Sequence, residues 1–182
     1  MASNPGSAID SNADKDSPKP KKQVSDKAKA ASKNDVSMIV LAGESNCTVP
    51  IYETCDDTRT KINRYMRETT GATNAGFVRM VNTAADAGGS FRPATPRHLT
   101  AFLKGKGPTK GCENPVFYAA YVFFEKLRIK EGKPKSKKRD EMEGVWKEAG
   151  MELIDISVRG VWTENGKTPY EDKYVLEGGG TV

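Results

Sequence analysis

The stretch that decides the fold is NPVFYAAYVFFEKLRIK, residues 114–130. Asn114 is a residue type that caps helices, and Pro115 follows at the first helical position, where its missing N–H costs nothing. Apolar side chains then recur at helical spacing in one broad stripe formed by Phe117, Ala120, Tyr121, Phe124 and Leu127. Burying each large side chain is worth about 1.5–3 kcal/mol, so we expect this helix to organise the core, with Lys126 and Arg128 outside the stripe.

Four further helices are predicted around this one from capping residues followed by apolar side chains at helical spacing. They run from Cys55 to about Glu68, from Thr73 or Asn74 to about Ala85, from Pro96 to about Lys104, and from about Lys138 to Ala149. On the first of them, Cys55 and Ile62 belong to the apolar stripe, and we place Arg59 on another face. The sequence therefore predicts a mainly α fold, a small helical bundle.

The chain divides into three predicted parts, an N-terminal arm at 1–50, a helical domain at 51–150 and a C-terminal extension at 151–182. Residues 1–35 contain almost no bulky apolar side chains and cannot bury enough surface to order the chain, so we expect a disordered, basic arm. In the extension, Ile154 to Trp162 and Tyr170 to Val175 resemble two short strands around the turn residues Asn165 and Gly166.

The positive charge is concentrated in one region. The net charge is +5 over 182 residues, but residues 104–139 hold eleven basic and three acidic side chains, whereas residues 140–182 hold ten acidic and four basic ones. Such a dipolar arrangement favours a polyanionic partner for one part of the molecule.

Several classes of protein find little support in the sequence. One histidine, His98, and three scattered cysteines do not form a metal site or a disulfide scaffold, so we expect neither metal nor cofactor. Residues 105–108, GKGP, lack phosphate-loop spacing, and adjacent Asp56 and Asp57 suit a helix start better than acid–base catalysis. The longest apolar run, residues 38–42, is too short for a bilayer. We expect a non-catalytic protein of a reducing intracellular compartment, without a membrane span.

The strongest candidates for function are basic residues that could contact nucleic-acid phosphates. The second and third predicted helices suggest a helix-turn-helix whose second helix exposes Arg97, Thr100 and Lys104 to the major groove. Their connection, residues 86–94, is longer than the three or four residues of a compact motif, and a plain helical bundle is the alternative. The predicted contacts are Arg97, Thr100, Lys104, Lys106, Lys110 and Lys126.

A second basic cluster follows the central helix. Lys133, Lys135, Lys137, Lys138 and Arg139 form a dense run typical of a nuclear import signal, which implies an import receptor and a nuclear location. Residues 18–22, PKPKK, are a weaker copy in the arm.

Three segments carry a resemblance to a known family. They are residues 55–63, CDDTRTKIN, residues 102–108, FLKGKGP, and residues 118–126, YAAYVFFEK. Together they resemble a fungal domain family of unknown function whose members combine a charged first helix, a helix-turn-helix-like unit and an aromatic final helix. The resemblance covers roughly residues 54–135 and departs around residues 86–93, where this chain has extra residues. It implies the helical fold and no particular mechanism.

These observations favour a nuclear protein that binds duplex DNA without catalysis and acts in transcription. The alternative is a protein-interaction module that docks to a partner through its acidic C-terminal segment, or through Trp146 and Trp162, with the basic run serving import alone.

Overall fold

The structure is a computed structural model that describes residues 34–86, 89 and 91–153, together with the backbone of two strands at 170–172 and 175–177. Most of the predicted arm and the Asn165-Gly166 turn lie outside the described residues. The larger compact unit begins at Val36.

Five α-helices form the described part of this unit, which is mainly helical as predicted. They are α1 Cys55–Glu68, α2 Asn74–Ala85, α3 Pro96–Lys104, α4 Pro115–Lys130 and α5 Lys137–Trp146. Each begins after a capping residue whose side-chain oxygen accepts a backbone N–H of the first turn. The capping residues are, in order, Thr54, Thr73, Thr95, Asn114 and Ser136. Local capping chemistry therefore fixed most of the boundaries that the sequence predicts.

Helix α4 is the centre of the bundle, and its buried side chains face several directions rather than one stripe. Phe117, Tyr121 and Phe123 are almost completely buried. Phe123 meets Tyr65 of α1 edge-on at 5.8 Å and Phe77 of α2 at 6.4 Å between ring centroids. These edge-to-face ring pairs join three helices in one aromatic core.

The folded part begins earlier than residue 51. Val36 and Val49 are buried in the core, and a short 3-10 turn, Glu44–Asn46, places the Glu44 carboxylate beneath α4. The predicted arm boundary at residue 50 is therefore wrong for residues 36–50. The segment has no helical periodicity, so its buried residues give no sequence signal of their own.

Lys126 is the partner of Glu44 and is 3% exposed. Its ammonium forms an ion pair with the Glu44 carboxylate and donates to the Ala84 carbonyl of α2 at 2.8 Å. The other Glu44 oxygen accepts the Leu41 N–H at 2.8 Å. The prediction that Lys126 lies outside the apolar stripe and contacts phosphate is therefore wrong, because no phosphate can reach this ammonium.

The C-terminal end of the bundle also differs from the prediction. Helix α5 ends at Trp146 and a 3-10 turn, Lys147–Ala149, continues it to Gly150, whose φ of 74° ends the helix. Met151 is buried and donates its N–H to the Ile51 carbonyl at 2.7 Å. A Cβ on Gly150 would lie 2.6 Å from the Ile51 nitrogen, so this close approach requires glycine.

Two short strands pair in the C-terminal extension, at positions that differ from the predicted ones. Strand β1, Tyr170–Asp172, pairs antiparallel with β2, Val175–Glu177, so that Glu171 faces Leu176. The sequence pattern predicts Tyr170 and Val175 on one strand, whereas they lie on opposite strands. The predicted strand from Ile154 to Trp162 lies outside the described residues.

The connection between α2 and α3 extends from Asp86 to Thr95. Asn82 of α2 fixes its end, because the Asn82 side chain donates to the Ala94 carbonyl and accepts the Ala94 N–H, each at 3.0 Å. No helix within the described ranges combines the length and the apolar character that crossing a bilayer requires.

The buried pair of Lys126 and Glu44 yields a stability prediction. Lys126→Met leaves a buried carboxylate without its counter-charge, and we expect it to lower the free energy of unfolding by about 3–5 kcal/mol in urea titrations. Lys126→Met combined with Glu44→Gln removes both charges and should cost less than the single change. A loss no larger than that of Lys137→Met, at an exposed lysine, would contradict this account.

Candidate nucleic-acid interface

Helix α3 is amphipathic and presents the predicted basic face to solvent. Leu99 and Phe102 are buried on one side. Arg97, Thr100 and Lys104 are exposed and follow each other at intervals of three and four residues, which places them on one face. The Thr100 hydroxyl donates to the Pro96 carbonyl at 3.1 Å, which leaves Arg97 and Lys104 as the charged groups of this face.

His98 completes the N-terminal cap of α3. Its N–H donates to the Thr95 hydroxyl, and its Nδ1 accepts the Thr95 N–H, both at 3.3 Å. This reciprocal arrangement is a capping box in which histidine replaces the usual glutamate. The half-buried His98 therefore has a structural role at the start of the helix.

The loop that follows α3, residues 105–111 with the sequence GKGPTKG, is named here the cationic loop, and its Lys106 and Lys110 are exposed. A buried arginine of α1, Arg59, lies beneath it with 5% exposure. Arg59 Nε donates to the Phe102 carbonyl at 2.8 Å, Nη1 donates to the Gly107 carbonyl at 3.0 Å, and Nη2 donates to the Lys110 carbonyl. The guanidinium also lies over the Phe102 ring, 4.7 Å from its centroid.

Asp56 fixes the same loop from its outer side. Its carboxylate accepts Arg59 Nη1 at 2.7 Å and the Gly107 N–H at 3.1 Å, and its side chain is 53% exposed. The Cys55 N–H donates to the Pro108 carbonyl at 2.8 Å. The first turn of α1 therefore determines the backbone course of the cationic loop.

Arg59 is the functional candidate that sequence reasoning missed. The prediction placed it away from the apolar stripe, yet Cys55, Arg59 and Ile62 are spaced by four and three residues and all are buried. The spacing alone could have placed Arg59 in the stripe. A charged side chain is stable in the core only when it has polar partners, however, and the spacing does not show those partners. Those partners lie 43 to 51 residues further along the chain.

The cationic loop belongs to a longer stretch without negative charge. No aspartate or glutamate occurs between Asp86 and Glu113, and the basic residues of this interval are Arg92, Arg97, Lys104, Lys106 and Lys110. We call these five the cationic stretch. All are exposed, and within the described part of the chain none of them forms an ion pair.

The predicted import run has different surroundings, because most of its charges are paired. Lys133 pairs with Glu131 at 2.7 Å, Lys135 with Glu143 at 2.7 Å, and Lys138 with Asp57 at 2.6 Å. Lys137 is exposed on the first turn of α5. Four lysines of the run are therefore at the surface, three of them next to carboxylates.

Arg139, the last residue of the predicted run, is 8% exposed and belongs to the interior. It pairs with Glu125 at 3.3 Å and with Glu143 at 2.9 Å, and its guanidinium lies 4.7 Å from the centroid of the Tyr52 ring. An import receptor cannot reach a buried guanidinium, so the prediction is wrong for Arg139. The residue instead attaches α5 to α4.

Glu125 is the acidic centre of this attachment. Burial by itself raises the pKa of its carboxyl, but hydrogen bonds from Arg128, at 2.8 and 3.1 Å, and the positive charge of Arg139 outweigh burial. The pKa of Glu125 therefore lies below its ordinary value of 4.5. The same contacts hold Arg128 against α4 rather than free in solvent.

The remaining candidate features give no second site. Among the described residues, no group of three or more His, Cys, Asp or Glu side chains is placed to hold a metal ion. Trp146, one of the proposed docking residues, packs against the core, and Trp162 lies outside the described residues.

Residues 49–134 match the family model of a domain of unknown function, DUF7726. The match includes helices α1 to α4, Arg59 and the whole cationic loop, and it ends before α5. No curated protein and no solved structure matches the chain significantly.

The lowered pKa of Glu125 makes stability depend on pH with a defined sign. A carboxyl whose folded-state pKa is depressed contributes stability above its unfolded pKa of 4.5 and loses it as the pH falls. We expect Glu125→Gln to lose less unfolding free energy than wild type between about pH 5 and pH 3 in urea titrations. Glu68→Gln, at an exposed carboxyl, is the control and should keep the wild-type slope. Equal slopes for all three proteins would refute the assignment.

Proposed function

We propose that this protein binds duplex DNA without catalysis, through helix α3 and the cationic loop, and acts in the nucleus as a regulator of transcription. The observation that carries the proposal is the cationic stretch, where five exposed basic residues occur with no acidic neighbour in sequence and no ion pair. Fixed positive charges of this kind gain affinity for a phosphate backbone by releasing condensed counterions.

The contrast with the other basic residues strengthens this choice of surface. Carboxylates neutralise the basic residues at the other places where charge is dense, namely Arg59, Lys61, Lys126, Arg128, Lys133, Lys135, Lys138 and Arg139. A polyanion that approaches those positions meets negative charge as well. The cationic stretch differs from these positions because its five basic residues are exposed, form no ion pair in the described structure and lie in a segment of sequence without aspartate or glutamate, which favours it as the phosphate contact.

The proposal includes a helix-turn-helix-like role for α2 and α3. Its support is that α3 buries Leu99 and Phe102 while exposing Arg97 and Lys104, as a recognition helix does. Asn82 attaches α2 to the residue before the α3 cap, which gives the long connection a fixed end. In this arrangement Arg97, near the N-terminus of α3, is the residue suited to a base edge, and Lys104 and the loop lysines are suited to phosphates.

Titration of a labelled duplex at several salt concentrations tests the proposal. We expect wild type to bind at about 50 mM salt and its affinity to fall with salt. The triple variant Lys104→Gln, Lys106→Gln, Lys110→Gln should reduce the log–log salt slope by about 0.9 for each lysine that contacts a phosphate.

The matched control removes the same charge elsewhere. Arg64, Arg67 and Arg79 are exposed on α1 and α2 and form no ion pair within the described residues, so their triple glutamine variant lowers the net charge equally. It should keep most of the wild-type slope. Absence of binding, binding independent of salt, or equal slopes for the two triples would overturn the proposal.

The nuclear location is a separate part of the proposal. We assign import to the surface lysines Lys133, Lys135, Lys137 and Lys138, without Arg139. Changing all four to glutamine should abolish nuclear accumulation of a fluorescent fusion too large to diffuse through nuclear pores. The same changes at Lys19, Lys21 and Lys22 are the control for the arm. Full accumulation of the first variant would show that the run is not the import signal.

A further inference from the structure

We infer that Arg59 is a positioning residue for nucleic-acid binding, because it presents Lys104, Lys106 and Lys110 as one preformed phosphate-binding unit. This inference rests on the proposed function. We call Arg59 with its bonds to the Phe102, Gly107 and Lys110 carbonyls the Arg59 clamp.

The sequence of the cationic loop implies a flexible backbone. Three of the seven residues of the cationic loop are glycines, at 105, 107 and 111. Glycine loses more conformational freedom on ordering than any other residue. Ordering one residue costs about 1–2 kcal/mol, so a loop that became ordered only on contact with DNA would lose much of the affinity that its lysines supply.

The Arg59 clamp holds the chain at three separate carbonyls. Its three carbonyls belong to a residue two positions before Lys104, to the residue after Lys106, and to Lys110 itself. One side chain thus fixes the backbone within two residues of each of the three lysines. The exposed side chains of Lys106 and Lys110 extend from this fixed loop, and that of Lys104 extends from the end of α3.

Arginine is the residue type whose side chain can form this clamp. The guanidinium offers five N–H donors in a planar fork, whereas a lysine offers one compact ammonium that cannot span three separated carbonyls. Gly105 allows the close approach, because a Cβ there would lie 2.7 Å from Arg59 Nη2. The Asp56 carboxylate balances the buried charge, so the clamp adds no unpaired cation beneath the loop.

A purely structural role and a positioning role differ in how Arg59 couples to the lysines. Two variants tested in combination give a coupling free energy that isolates their interaction. If Arg59 acts by positioning, its substitution matters only while the loop lysines are present. Arg97 lies near the other end of α3 and should not couple to Arg59.

The experiment measures duplex affinity and salt slope for six proteins. Four of them are wild type, Arg59→Lys, Arg97→Gln and the loop triple, in which Lys104, Lys106 and Lys110 are all changed to glutamine. The other two combine Arg59→Lys with Arg97→Gln and with the loop triple. Arg59→Lys keeps the charge and should weaken wild-type binding by about tenfold, corresponding to the ordering of about one residue. It should have no effect in the loop-triple background and its full effect in the Arg97→Gln background. Its salt slope should move toward that of the loop triple.

Circular dichroism melts establish that each variant is folded at the temperature of measurement. Gly105→Ala tests the same inference without changing the identity of residue 59. The added methyl group would displace the guanidinium, so this variant should show the same coupling to the loop triple. Gly144→Ala is its control, since a Cβ at Gly144 of α5 meets nothing within 4 Å.

The outcomes separate the clamp from the proposed function. Wild type that does not bind DNA overturns the proposed function and this inference with it. The inference alone is overturned if wild type binds DNA but Arg59→Lys and Gly105→Ala leave the affinity unchanged. It is also overturned if these two changes weaken binding equally in the loop-triple and Arg97→Gln backgrounds.

Discussion

The burial of one guanidinium constrains most of the candidate surface. An unpaired charge in the interior is costly, so Arg59 can lie beneath the cationic loop only if nearly every donor finds an acceptor. It finds three carbonyls and the Asp56 carboxylate, contributed by the start of α1, the end of α3 and the following loop. The positions of α1, α3 and the loop are thereby linked through a single side chain.

Charge along the chain and charge on the surface are different quantities in this molecule. The sequence shows one basic region at 104–139, but folding divides it into two parts. Lys126 and Arg139 are buried with carboxylates and act as internal cations that join the N-terminal segment and α5 to α4. Lys104, Lys106 and Lys110 stay exposed, and none of them pairs with a carboxylate in the described structure, so the unpaired surface charge of these three lysines lies before α4.

Features that depend on residues close in sequence could be predicted, whereas features that depend on residues distant in sequence could not. Helix starts depend on residues within one turn of each other, so Thr54, Thr95-Pro96 and Asn114-Pro115 predicted three boundaries correctly. Apart from the local pair of Arg59 with Asp56, the roles of Arg59 and Lys126 depend on partners 42 to 82 residues distant in sequence. No local pattern contains that information. The exposed residues of α3 were predictable because amphipathic spacing is again local.

The pair of Lys126 and Glu44 also shows where the folding unit begins. Lys126 lies within the matched range of residues 49–134, whereas Glu44 lies before it. Without Glu44, the Lys126 ammonium would be buried with only the Ala84 carbonyl as partner. A buried cation without a counter-charge strongly destabilises the folded state. The central helix therefore needs a carboxylate from outside the matched range, so in this chain the stable unit must include residues 36–48.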